Sequence, residues 1–245
     1  MRNSHNNEKR RDRIIVALDV DDVKECKRIL SKLKGQIAIF KIGMELFTAC
    51  GPKVVDLVHQ SGAKVFLDLK FHDIPNTVAA ACRMATRLGV FMLNVHATGG
   101  LKMMKWAAEH THAEAERLKI KEPILLGVTI LTSLTEQEIK GEIGIERPLR
   151  EEVLNLAQLA KQAGLKGVVA SSLELEVIKK QLGSDFVVVT PGIRPSWYVT
   201  RSDQQRVVTP KMAFDMGADY IVIGRPIVQD PKPEKACEKI FAEIN

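Results

Sequence analysis

Eight short apolar runs punctuate this chain, and nearly every one stops on a polar or charged side chain. They span residues 14–18, 37–40, 65–67, 91–95, 124–128, 167–170, 186–189 and 220–223. Each is rich in Val, Ile and Leu, without the polar alternation of a half-solvated strand. Such runs read as parallel strands covered on both faces. The segments between them carry apolar residues at helical spacing. Eight β/α units within 245 residues predict a single (β/α)8 TIM barrel. A doubly wound open sheet is the other architecture with this rhythm. It usually holds fewer units, and no GxGxxG follows the first run here. The expected organisation is a disordered polar tail over residues 1–12 and one catalytic barrel over 13–245.

Local signals place the helices. Gly35 ends a helical segment that starts at Val23. Gly51-Pro52 splits 44–60 into two helices. Pro75 stands where the next helix starts. Ser172 is placed to cap the helix 173–182, and Thr209-Pro210 to open a short one.

Charge narrows the class of partner. The net charge is +6, but residues 1–13 hold five basic side chains against two acidic ones. The remainder shows no basic run with interleaved aromatics, so no nucleic-acid partner is expected. No apolar run approaches the ~20 residues of a membrane span, and the charged N-terminus has no apolar core of a secretory signal. The four cysteines form no CxxC pair. Free thiols and a cytoplasmic location are expected.

In a TIM barrel the functional groups lie at the C-terminal ends of the strands. Those positions are Asp19, Lys41, Asp68, Lys70, Asn94, His96, Thr129, Ser171, Thr190 and Arg225. The densest stretch, VFLDLKFHDIPNT at 65–77, sets Asp68, Lys70, His72 and Asp73 within six positions. Strand alternation puts Phe66, Asp68 and Lys70 on one face. Lys41, Asp68, Lys70 and Asp73 form an alternating charge set, suited to chemistry that builds negative carbon and then protonates it. A structural ion pair is the plainer reading of Asp68 and Lys70. Asn94 and His96 can equally serve to satisfy buried backbone groups, and Thr129 and Ser171 to cap turns. A metal site built from Asp19, Asp68, His72, Asp73 and His96 is the rival chemistry, opposed by the two lysines among them. Gly192, Gly224 and Arg225 after the last two strands read as a phosphate site. The polar loop 195–206, with Gln204, is long enough for a lid.

The string FLDLKFHDIPNT at 66–77 resembles the active-site signature of the orotidine 5′-phosphate decarboxylase family. So do IVALD at 15–19, FKIGMELF at 40–47, NVHATGG at 94–100, VTILTS at 128–133, VTPGIRP at 189–195 and VIGRPI at 222–227. The resemblance to bacterial members covers the chain after its tail, although residues 197–201 match no fixed family pattern. It implies conversion of orotidine 5′-monophosphate to UMP and CO2 without metal or cofactor, as the last step of UMP biosynthesis. It also implies a homodimer with sites at the interface. Lys70 would protonate C6, beside Asp68 and Lys41, and Asp73 and Thr77 would reach in from the partner subunit. Asp19, Lys41 and Thr77 would bind the ribose, and Thr132 the pyrimidine or the lid. Pro191, Arg194, Gln204, Gly224 and Arg225 complete the implied substrate contacts, the last three at the phosphate.

Overall fold

The computed structural model describes residues 10–198 and 208–244. Its strands are β1 (Ile14–Ala17), β2 (Ile39–Gly43), β3 (Lys64–Phe71), β4 (Met92–His96), β5 (Ile124–Val128), β6 (Gly167–Val169), β7 (Val187–Thr190) and β8 (Tyr220–Ile223). They follow one another in order around a closed parallel barrel. The helices are α1 (Val23–Lys32), α2 (Met44–Cys50), α3 (Lys53–Gln60), α4 (Pro75–Arg87), α5 (Gly100–Leu118), α6 (Leu149–Gln162), α7 (Leu175–Leu182), α8 (Pro210–Asp215), α9 (Arg225–Val228) and α10 (Pro233–Glu243). The expected (β/α)8 barrel is the observed architecture. No helix among the described residues is long and apolar enough to cross a membrane.

The chain divides into two compact units, Met1–Leu69 with Gly192–Asn245, and Lys70–Pro191. In the first, β1 lies between β2 and β8, with Ile15 opposite Ile39 and Val222. Residues 14–18 are essentially inaccessible. Truncating one such side chain to alanine costs about 2–5 kcal/mol. Asp22 caps α1 by accepting the Glu25 N–H at 2.8 Å. That helix stops at Leu33, two residues before Gly35 takes its positive φ of 76°. The break at Gly51-Pro52 is where the sequence put it: Gly51 has φ 64° and its N–H returns to Phe47 O at 2.8 Å. Arg10 and Arg11, assigned from sequence to the polar tail, form a helical turn. Arg10 pairs with Asp215 at 2.7 Å, and the Arg11 guanidinium lies 5.0 Å from the Phe241 ring centre.

In the second unit one glycine tells the two faces of the sheet apart. A Cβ on Gly127 would lie 3.1 Å from Ala160 Cβ of α6, so Gly127 faces the helix layer. Its neighbours Leu126 and Val128 therefore face inward. Strand register extends that inner face to Asn94 and His96 on β4, Gly167 and Val169 on β6, and Val187 and Val189 on β7. Ser171, rather than Ser172, caps the turn before α7, its Oγ accepting the Leu173 N–H at 3.2 Å. A helical turn at Glu136–Glu138, running into a π turn at Ile139–Ile143, was not expected. It is too short to show periodicity, but its capping box, Thr135 with Glu138, was legible.

Helices α4 and α5 are clasped by one carboxylate. Glu114 is buried and accepts from Arg117 and Arg87, each at 2.6 Å. The two guanidiniums, Arg117 first, hold its carboxyl below the ordinary 4.5, at about 2. A depressed carboxyl stabilises the fold above its unfolded value, and that contribution fades as pH falls from 4.5 toward about 2. Glu114→Gln is therefore expected to lower the urea midpoint at pH 7 and to converge on wild type as the pH approaches 2. A deficit of unchanged size across that window would assign the loss to packing instead. The cysteines are free, and burial pushes the Cys82 and Cys237 thiols up to about 12.

Candidate active site

Three of the anticipated residues meet in the first unit. Lys41 Nζ lies 3.1 Å from Asp19 Oδ1 and 3.3 Å from Asp68 Oδ2. The register explains how one ammonium reaches both. Gly43 stands opposite Asp68 across β2 and β3, and its missing side chain leaves the space that Lys41 fills. A Cβ on Gly43 would come within 3.0 Å of Lys41 Nζ. A Cβ on Gly224 would meet Asp19 Oδ2 at 3.3 Å and Ala17 Cβ at 3.4 Å. The glycines of FKIGMELF and VIGRPI thus wall in the same ion pair. The Lys41 and Asp68 side chains are each 11% exposed, whereas that of Asp19 is 48% exposed. One buried ammonium thus reaches two carboxylates. Breaking a buried pair by removing one partner is strongly destabilising, so loss of Lys41 is expected to cost stability as well as activity.

Arg225 is exposed and opens α9 directly after Gly224. Its short helix was absent from the sequence reading, because four residues give no period. Arg194 is half-buried, and its N–H donates to Val208 O at 3.2 Å. Gln204, and most of the loop assigned as a lid, lie outside the described residues.

In the second unit the centre is Lys70. Its backbone takes φ 49°, the left-handed region that a non-glycine residue occupies at a cost of about 1–2 kcal/mol. Regular alternation along β3 therefore ends before Lys70. The Lys70 N–H donates to Asn94 Oδ1 at 2.8 Å, so Asn94 does satisfy a backbone group, here a half-buried one. Asp73 and Thr77 are exposed, and the Asp73 carboxylate accepts the Ile74 N–H at 2.6 Å. Ile74 itself is 67% exposed. The His72 and His96 rings lie 5.3 Å apart. Among the described residues, no three His, Cys, Asp or Glu side chains are placed to hold one metal ion.

Two threonines stand apart from the site. Thr190 follows Val189, so it shares the helix-facing side of β7 with Val188. Thr129 directs its hydroxyl to Val169 O at 3.0 Å. Thr132 is exposed and borders a cavity of about 130 Å³ with Ile130, Ser171 and Glu174. Burial pushes the Glu174 carboxyl up.

The chain has known relatives. Residues 12–240 match the family described as Orotidine 5'-phosphate decarboxylase / HUMPS family. The chain belongs to that family. An orotidine 5′-phosphate decarboxylase from Syntrophomonas wolfei is 47% identical to it, over 95% of this chain and 98% of the other. The enzyme of that name from Moorella thermoacetica is 50% identical, over 96% and 92%. Among solved structures, the orotidine 5′-phosphate decarboxylase of Lactobacillus acidophilus superposes with a TM-score of 0.83 at 41% identity, over 95% of this chain and 98% of that one. Every string that carried the resemblance lies inside the matched span, from IVALD to VIGRPI. The sequence marks Gly224 only for phosphate approach; that a side chain there would crowd Asp19 is visible only in three dimensions. Gly43 was not singled out at all, although its place two residues after Lys41 on β2 was a usable signal.

Proposed function

We propose that this chain converts orotidine 5′-monophosphate to UMP and CO2, with Lys70 protonating C6 within a network of Lys41, Asp68, Lys70 and the Asp73 of a partner subunit. One observation carries the reading: a buried carboxylate, Asp68, held by a buried ammonium on a strand whose next-but-one residue is a lysine in a strained backbone. Family membership supports the same chemistry.

Loss of CO2 leaves an electron pair on a ring carbon that delocalises it poorly. A fixed ammonium aimed at that carbon stabilises the charge as it forms and needs no reorganisation. The same group then delivers the proton to C6. Lys41 answers Asp19 and Asp68 together, so a second cation is needed for balance, and Lys70 supplies it. In this reading Asp68 lies against the leaving carboxylate. Asp19, Lys41 and Thr77 hold the ribose, Thr132 touches the pyrimidine or the lid, and Pro191 also contacts the substrate. Arg225, Gln204, the Gly224 backbone and Arg194 grip the phosphate. Phosphate binding far from the reacting bond offsets the cost of bringing two anions together. The protein acts as a homodimer: Asp73, Ile74 and Thr77 are exposed on one edge, where a second copy would cover them.

The test is direct. Purified protein incubated with orotidine 5′-monophosphate and excess EDTA is expected to show the ultraviolet change of UMP formation. Turnover only of a sugar phosphate, and only with Mg²⁺, would replace this reading with a metal-dependent one. Binding without turnover would make the chain a phosphate-ligand binder.

A further inference from the structure

Asn94 sits in the middle of an apolar strand and is fully buried. It lies on the inner face of β4, in register with Leu126. Its Oδ1 accepts the Lys70 N–H. A backbone N–H only donates, so the contact itself identifies the amide oxygen. The bond falls on a singular residue. Among the described non-glycine residues only Lys70 and Lys119 have positive φ, and Lys119 merely ends a helix.

In a regular strand the N–H at position 70 would point to a neighbouring carbonyl. Here it is taken by a side chain, and the backbone turns left-handed. That turn sets the direction in which the Lys70 side chain leaves the strand. An L-residue keeps such a conformation only where its surroundings hold it. A buried carboxamide that accepts a short bond from the strained unit is such a hold.

We propose that Asn94 is the positioning residue for Lys70, fixing its left-handed backbone so that the ammonium is aimed at the reacting carbon. The inference rests on the decarboxylase reading. It adds a residue that acts on Lys70 through the main-chain N–H.

Two variants test it. Asn94→Leu keeps the volume and removes the acceptor; Asn94→Asp keeps an acceptor oxygen in the same place. For Leu, kcat is expected to fall about 10²-fold while KM for orotidine 5′-monophosphate stays within about threefold, the signature of a misplaced catalytic group. For Asp, kcat is expected within about tenfold of wild type, since the hydrogen bond survives. The Lys70 amide, followed by hydrogen exchange, should be protected in wild type and exposed in the Leu variant. Unchanged kcat in Asn94→Leu overturns the proposal, as does an equal loss in both variants. If neither variant folds, wild-type exchange decides: protection at Lys70 supports the hold, and exchange at the rate of an open loop removes it. Failure of wild type to turn over the substrate would sink the decarboxylase reading instead, and the amide comparison would still report on the hold.

Discussion

Lys70→Ala is expected to abolish turnover of orotidine 5′-monophosphate while the protein stays folded. A preorganised charge at the site of developing negative charge is commonly worth about 10²–10³ in rate. General acid catalysis adds about 10²–10⁴. Lys70 is proposed to supply both, so a loss of at least about 10⁴-fold is expected. The fold should tolerate the change, because alanine and lysine both carry a Cβ and meet the same left-handed penalty at φ 49°. A companion variant separates strain from chemistry. Lys70→Gly should be equally inactive yet melt about 2–4 °C above Lys70→Ala, because glycine occupies this conformation without steric cost. Activity within a hundredfold of wild type, in a preparation free of host enzyme, would take the acid role away from Lys70. Equal melting points would show that the backbone there is not strained.

Mixing two dead variants should restore activity. Asp73→Ala and Lys70→Ala are each expected to be inactive alone. If Asp73 completes the site of the other subunit, a mixed dimer concentrates both defects in one site and leaves the other intact. Random exchange of equal amounts then makes half of the dimers mixed, each with one good site, and returns about a quarter of wild-type activity. The geometry behind this expectation is local. Asp73 and Thr77 are exposed beside an exposed Ile74, and a large apolar side chain in open solvent between two polar ones suits a covered surface. No recovery despite demonstrated subunit exchange would place Asp73 in its own chain's site.

Much of this molecule was legible in the sequence because the governing rules are local. Continuous Val/Ile/Leu runs, punctuated by Gly51-Pro52, Pro75 and Thr209-Pro210, dictate strands and helix starts within a few residues. Chain order then dictates the barrel, since parallel strands joined by helices have few ways to close. The charged residues of DLKFHD were equally legible, because a lysine and an aspartate at the end of a buried run demand an explanation. Short elements were lost: the turn at Glu136–Glu138 and helix α9 are shorter than the periods used to find helices.

What the sequence by itself determined was composition along each strand: eight runs, their polar ends, and the spacing of Asp19, Lys41, Asp68 and Lys70. Only the tertiary structure decided which of those ends meet. It placed Gly43 opposite Asp68, so that Lys41 bridges two carboxylates, and it turned Thr190 toward the helices. It also set Lys70 in a left-handed backbone answered by Asn94, 24 residues away. The physical reason is that register and backbone handedness follow from contacts between distant strands, and no local pattern of residue types encodes them.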